Sequence, residues 1–165
     1  MRNKQKGFSL IELLIVVAII LIIAAIAIPN LIRSKMAANE ASAVATLRTI
    51  NTAEVVYSST YNVPGVFGLL PDLGTGGTAS NCAAGAAPPT STNACLIDFA
   101  LENAGTAPGK SGYLLTVGLL AGGGYAGHNN PNNPGSSGVR YFYTDQTLVI
   151  RQNSTAAAIS TDSPI

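Results

Sequence analysis

The apolar and polar residues divide the chain into three stretches. From Leu13 to Ile28 every residue is Leu, Ile, Val or Ala, and the apolar character begins at Phe8 and continues to Ile32. A bilayer core of about 30 Å needs roughly 20 mainly apolar residues in a helix, and a helix is the form in which a single segment satisfies its backbone groups in lipid. The pattern therefore predicts a membrane-spanning helix over residues 8–32.

A secretory signal peptide is the alternative for this first stretch, because a short basic segment precedes it. A removable signal has an apolar region of about 7 to 15 residues followed by small residues at the cleavage site. Here the run is longer and Pro29-Asn30 follows it, so a retained helix is favoured. The basic residues before the run narrowly outnumber those after it, which places the N terminus in the cytoplasm and residues 33–165 outside.

Residues 33–62 have the pattern of an amphipathic helix. No Gly or Pro occurs between Leu31 and Tyr61. Apolar residues recur at helical spacing at Met36, Ala43, Leu47, Ile50 and Tyr57, interrupted by Asn39, Glu40 and Glu54, whereas Arg48, Asn51, Thr52 and Ser58 occupy other faces. The pattern predicts one helix from Phe8 to Tyr61 that Asn62-Val63-Pro64-Gly65 stops. Two helices hinged at Pro29 are the alternative.

Residues 63–165 are long enough for one small head with its own core. A low-complexity loop is expected over 73–94, a short helix or turn over 95–104 and a strand over 113–120. A hairpin should pair 139–144 with 148–151 across Asp145-Gln146. The fold class is therefore α+β, a long N-terminal helix with a membrane-spanning lower half and an amphipathic upper half, packed on a small antiparallel sheet of three or four strands.

The head offers little catalytic chemistry. The single histidine, His128, falls in a polar stretch, Gly127–Pro134, and is expected to be a solvated loop residue. Gly122–Gly127 lacks the Lys and Ser/Thr of a phosphate-binding loop. Asp145 and Asp162 do not supply the six to eight oxygens that Ca²⁺ takes. We expect no enzymatic activity, no cofactor and no metal.

Charge adds a further restriction. Only 10% of residues are charged and the formal net charge is +1, with no basic stripe, so specific nucleic-acid binding is not expected. Cys82 and Cys95 are the two cysteines and have no metal-ligand cluster beside them. In an exported segment they are expected to form a disulfide, with two free thiols as the alternative.

Lys6-Gly7 followed by Phe8-Ser9-Leu10-Ile11-Glu12 resembles the leader and cleavage motif of type IV pilins and the related type II secretion pseudopilins. In that family a short basic leader ends in Gly, and the mature chain begins with Phe and has Glu as its fifth residue. The resemblance covers roughly residues 1–60. It implies that a prepilin peptidase removes residues 1–7 by cutting between Gly7 and Phe8 and then methylates the Phe8 amine.

The resemblance also implies assembly roles for Phe8, Glu12 and Pro29. An ionised side chain near the membrane interior costs a few kcal/mol and usually has a partner. The run contains no Arg or Lys, but cleavage would create a cation at Phe8 that reaches Glu12 in its own chain or a neighbour. A carboxylate at headgroup level is the alternative. Pro29 removes the hydrogen bond to the Ala25 carbonyl, and pilin helices can lose regular structure near this proline in filaments.

Three functions compete. The first is a pilin that polymerises with its own copies and related minor pilins into an extracellular type IV pilus for adhesion, motility or DNA uptake. The second is a pseudopilin of a type II secretion system, and the third is a monomeric membrane-anchored binding module. By resemblance, the partners are the peptidase/methyltransferase, an assembly platform, motor proteins and, before assembly, bacterial inner-membrane lipid.

Overall fold

The computed structural model describes residues 8–61 and 66–165. Helix α1 spans Leu10–Thr60, followed by two one-turn helices, α2 at Leu70–Leu73 and α3 at Phe99–Glu102. The leader and the stop signal predicted at 62–65 lie outside the described residues. The strands are β1 Tyr113–Leu119, β2 Tyr125–Pro131, β3 Tyr141–Asp145, β4 Arg151–Asn153 and β5 Ser163–Pro164.

The chain divides into two units, one up to Lys35 and one from Met36 onward. In the first unit the apolar side chains of α1 are exposed all round, as the pattern of Leu, Ile, Val and Ala requires. The most apolar part of α1 has a mean hydropathy of 3.3 and is long enough to cross a membrane. Pro29 lies inside α1, so the helix runs through it as one element rather than as two hinged helices.

The second unit contains a five-stranded antiparallel sheet in the order β1-β2-β3-β4-β5. Its inner face packs on the part of α1 that carries Ala43, Leu47 and Ile50, and together they form the head's core. Tyr113, Tyr125 and Phe142 supply its largest buried rings. The α+β fold predicted from the sequence is confirmed.

The sheet has two strands more than the smallest number expected, because β2 and β5 were not predicted. The sequence of β2, Tyr125–Pro131, was expected to be partly a polar loop, but its residues alternate between buried and half-buried. Asn129 occupies an inward position and donates from Nδ2 to the Ala43 carbonyl at 3.1 Å. His128 therefore lies on a strand, half-buried, and the prediction of a solvated loop residue was wrong.

The predicted hairpin forms with a different register. Tyr141 pairs with Asn153 and Tyr143 with Arg151, so the second strand begins at Arg151 and residues 148–150 belong to the connection. Leu148 has φ +64° and its N–H donates to the Asp145 carbonyl at 2.8 Å. This left-handed residue ends the turn and keeps the following two residues out of the ladder.

The polar face of α1 also differs from the prediction. Asn51, expected to point outward, is buried, and Glu40 and Glu54 are buried as well. The low-complexity loop is more ordered than expected, because a 3₁₀ turn forms at Ala79–Cys82. The expected turn after Cys95 appears as α3, which continues into a 3₁₀ turn at Asn103–Gly105.

Candidate functional site

The N-terminal end of α1 carries the residues predicted for processing and assembly. Phe8 precedes the helix with 83% of its surface exposed. The Glu12 Oε2 atom accepts the backbone N–H of Ser9 at 2.9 Å. The carboxylate thus satisfies one of the amide donors that a helix N-terminus leaves unpaired. Gly7 lies outside the described residues, and Pro29 is placed within α1 away from this end.

Glu12 accepts a hydrogen bond from an uncharged N–H group, but it forms no ion pair with a cation of the described residues. The one ion pair found over residues 8–61 and 66–165 joins Arg140 to Glu40. The side chains that follow Glu12, from Leu13 to Ile23, are all exposed apolar groups. A carboxylate in such surroundings requires either water or a cation from another source, such as a new amino terminus or a second chain.

Three buried carboxylates, Glu40, Glu54 and Glu102, have partners that the hydrophobic periodicity of the sequence could not predict. Glu40 Oε2 accepts the Arg140 Nε–H at 2.7 Å, and its Oε1 accepts the backbone N–H groups of Val139 at 2.9 Å and Arg140 at 3.2 Å. Burial acts to raise the pKa of Glu40, but these hydrogen bonds and the guanidinium charge outweigh burial and lower it. Glu40 thereby fastens α1 to the residues just before β3.

The pKa of Glu54 is shifted in the opposite direction from that of Glu40. Its side chain is fully buried, and its Oε2 accepts the Gly68 N–H at 2.9 Å, whereas Oε1 has no partner among the described residues. Burial, with a smaller contribution from the charge of Asp72, raises the pKa of Glu54 to about 7. This carboxyl therefore changes protonation near neutral pH.

Glu102, at the end of α3, holds the low-complexity loop. Its Oε2 accepts the N–H of Thr75 at 2.7 Å and the Thr75 hydroxyl at 2.6 Å, and its Oε1 accepts the Gly77 N–H at 2.6 Å. Cys82 and Cys95 close the same loop in a disulfide with a Cα–Cα distance of 5.7 Å. The structure thus contains the disulfide that the sequence predicted.

Two further polar residues, His128 and Asp145, lie on β2 and β3. His128 packs edge-on against Tyr143 with ring centroids 5.1 Å apart, and burial lowers the pKa of its imidazole. Asp145 is buried and accepts the Thr147 N–H at 2.9 Å. Across the two described ranges, no group of three or more His, Cys, Asp or Glu side chains is placed to hold a metal ion.

Comparison with known proteins concerns the first third of the chain. The model of the prokaryotic N-terminal methylation motif matches residues 2–28. Type IV major pilin protein PilA of Myxococcus xanthus is 46% identical over 56 residues, which cover 34% of this chain and 26% of that protein. Type IV wide pilus major component PilA4 of Thermus thermophilus is 62% identical over 40 residues, covering 24% of this chain and 30% of that protein.

These matches define a chain with an N-terminal methylation motif on a long apolar helix. They support a type IV pilin, and the resemblance seen in Lys6-Gly7-Phe8 and Glu12 is confirmed over this segment. The aligned segments span between a quarter and a third of the length of the two relatives. No solved structure matches the chain significantly.

Proposed function

We propose that the chain is a structural subunit that polymerises by helix bundling into an extracellular type IV pilus. The observation that carries this proposal is the combination of an all-round apolar helix with one carboxylate, Glu12, five positions after Gly7. A helix that is apolar on every side needs lipid or other apolar helices around it. Lipid surrounds this helix in the unassembled subunit, and the helices of other copies surround it in the filament.

Processing would create a cation for Glu12, which finds none among residues 8–61 and 66–165. In this proposal a peptidase cuts between Gly7 and Phe8 and methylates the Phe8 amine, and that amine pairs with the Glu12 carboxylate of a neighbouring subunit. Leaving one charge of a desolvated pair without its partner typically costs 3–5 kcal/mol. The pair therefore sets the axial position of one subunit against the next, which an apolar surface alone does not.

The chain then has four functional parts. Residues 1–7 are the removed leader, 8–32 the membrane and assembly half of the helix, 33–62 its amphipathic half and 63–165 the head. Before assembly the helix lies in the bacterial inner membrane with its N terminus in the cytoplasm. The partners are other copies, related minor pilins, the peptidase/methyltransferase, the assembly platform and its motors. We assign no catalytic role to the subunit.

Pro29 has a separate role in the proposal. Its missing N–H leaves the helix without one backbone hydrogen bond at this turn. Ala24, Ala25 and Ala27 lie beside it, and small side chains let neighbouring helices approach closely. The turn before Pro29 is therefore where α1 loses regular structure when copies pack together.

Substitution of Glu12 tests the proposal directly. Glu12→Val should leave membrane insertion intact and lower the yield of sheared surface filaments, and Glu12→Gln should do the same because it keeps the acceptor for Ser9 but not the charge. Ser9→Ala is the matched control, since it keeps the backbone N–H, and should give the normal yield. Unchanged filament yield in both Glu12 variants would contradict the pairing.

Electron microscopy of sheared fibres, labelled with antibody to the head, separates the pilus from the alternative. Long labelled fibres support the pilus, whereas their absence favours a type II secretion pseudopilin. Mass spectrometry of the same material checks processing, and the expected chain begins at a methylated Phe8. A chain that still carries Met1 would contradict the maturation step.

A further inference from the structure

The head carries an open groove at one edge of the sheet. It has a volume of about 430 Å³ and lies between α1 and the connection from β3 to β4. Arg48 and Thr52 of α1 form one side, and residues 148–150 with Ile165 form the other. We call it the Arg48 groove. Its lining is mainly apolar on the side of the connection and carries a single cation on the side of the helix.

The groove is preformed by the buried side chain of Asn51. Its Nδ2 donates to the Leu148 carbonyl at 3.2 Å, and its Oδ1 accepts the hydroxyls of Tyr125 at 2.8 Å and Thr144 at 2.9 Å. Leu148 itself has φ +64° and leaves 46% of its surface exposed. Holding a leucine in the left-handed region costs free energy, and residues of this kind are often found where a surface has a function.

Arg48 forms no ion pair with the described part of the chain. Its side chain is exposed, and no carboxylate of residues 8–61 or 66–165 lies within 4 Å of it. By contrast, Arg140 is paired with Glu40 at 2.7 Å. A cation beside an exposed apolar side chain fits a partner surface that places a carboxylate next to an apolar group.

The start of α3 offers that combination. Asp98 is the exposed acidic residue of the head over the described ranges, and Phe99, which follows it, is 42% exposed. The Asp98 Oδ1 atom accepts the Leu101 N–H at 2.6 Å, which fixes the orientation of the carboxylate. The remaining acidic residues of the head are buried or half-buried: Glu40, Glu54, Asp72, Glu102, Asp145 and Asp162.

The two surfaces lie at opposite edges of the sheet. The 3₁₀ turn that follows α3 contacts β1, the first strand of the sheet. The groove lies beside β4 and β5 at the other edge, where the Ile165 N–H donates to the Ile150 carbonyl at 3.1 Å. Complementary patches at opposite edges form a heterologous contact, which repeats from copy to copy instead of closing a twofold dimer.

We propose that the Asp98–Phe99 projection of one copy docks into the Arg48 groove of the next, with the Asp98 carboxylate facing the Arg48 guanidinium and Phe99 covering Leu148. The partner is a second copy of this chain. This inference rests on the proposed function and assigns to the filament a contact between heads that is separate from the apolar helices.

Charge reversal tests the contact in the full-length chain. Arg48→Glu and Asp98→Lys should each lower filament yield by about tenfold or more, the change that 1.4 kcal/mol of like-charge repulsion produces. The double variant should restore the yield to within about twofold of the original, because opposite charges again face each other. Asp98→Asn checks that the loss does not come from the cap on Leu101, since its side-chain oxygen keeps that hydrogen bond.

Lys110→Glu is the matched control, because Lys110 is exposed and the charge change equals that of Arg48→Glu. It should give the normal yield. Equal losses in Lys110→Glu and Arg48→Glu, or no recovery in the double variant, would overturn the pairing.

A cysteine pair tests the same contact by distance. Thr52→Cys lies in the groove and Ala100→Cys lies beside Phe99, and both positions are exposed. Oxidised filaments of the double variant should give a ladder of linked subunits on a non-reducing gel, whereas each single variant should give none. Filaments that form without a ladder would refute the contact and leave the proposed function standing.

If the unmodified chain forms no filaments, the proposed function fails on its own. The contact is then tested with the same cysteine pair in the full-length chain reconstituted in lipid vesicles. Linked dimers there support the head contact, and their absence refutes it.

Discussion

Glu54 should make the stability of the head depend on pH in the direction opposite to most carboxylates. Its pKa is raised to about 7 because the side chain is buried, whereas a free glutamate titrates near 4.5. Gly68 donates the one hydrogen bond to it that the described residues provide, and Asp72 adds a negative charge nearby. Tyr57 and Tyr125 lie near it, and their pKa values are raised mainly by burial, with smaller contributions from nearby charges that include Glu54.

The sign follows from proton binding. Between pH 4.5 and about 7 the folded chain holds a proton on Glu54 that the unfolded chain has released, so the free energy of unfolding falls as pH rises. The contribution of Glu54 is fully present below pH 4.5 and is lost by pH 7 to 8. At 1.36 kcal/mol per pH unit, the difference between the two pKa values corresponds to roughly 3 kcal/mol.

The assay is denaturant unfolding of the full-length chain in detergent, followed by near-ultraviolet circular dichroism of its tyrosines, at pH 4 to 8. Glu54→Gln keeps the size of the side chain and removes the titration, so the difference in stability between wild type and variant should change by roughly 3 kcal/mol over this range. A difference that stays constant with pH would show that Glu54 remains ionised in the folded head, and the reasoning from burial would be wrong.

Glu40→Gln is the matched control. The pKa of Glu40 is lowered by its contacts with Val139 and Arg140 against the effect of burial. Its contribution is therefore present above pH 4.5 and is lost as pH falls through the lowered value. With the assay extended below pH 4, the two variants should thus show pH dependences of opposite sign.

Other predictions concern the disulfide loop and β2. Glu102→Ala leaves three hydrogen-bond donors of the loop without their carboxylate acceptor. It should lower the free energy of unfolding by about 1–3 kcal/mol. Mass spectrometry should also show faster protease cleavage within residues 76–93. Replacing Cys82 and Cys95 together with Ser should cost about 3 kcal/mol in the chain-entropy model, measured by the same unfolding assay. Burial lowers the pKa of His128. The contribution of neutral His128 to the free energy of unfolding should therefore be present above pH 6.5 and be lost as pH falls below it. His128→Gln should remove this pH dependence of stability.

The long helix and the methylation motif at its start could be predicted because their signals are local. An unbroken apolar run specifies a helix by length alone, and Gly7, Phe8 and Glu12 stand within six consecutive positions. No partner elsewhere in the chain is needed to recognise them. The two curated relatives match this part of the chain for the same reason.

The head could be predicted only in outline because its polar residues are satisfied by partners far away in the sequence. Asn51 bonds to Tyr125 and Thr144, and Asn129 bonds to the Ala43 carbonyl. A periodicity that assigns polar residues to the surface places such side chains on the wrong face. Strand β2 was missed for this reason, since its inward positions include a glycine and an asparagine.

The same division explains why the proposed filament would need polar contacts. The hydrophobic effect that drives apolar helices together has no direction. In the proposed filament, the run from Leu13 to Ile28 would therefore bring copies together without choosing among axial positions that bury similar area. A charge pair loses its attraction when the two charges move apart. In apolar surroundings, this separation also leaves each charge without a compensating partner. Under the two proposals, Glu12 would supply such a constraint in the first unit, and Arg48 with Asp98 would supply another in the second. In the proposed filament, apolar burial provides the free energy of association. These charge pairs determine the axial register in which neighbouring copies pack.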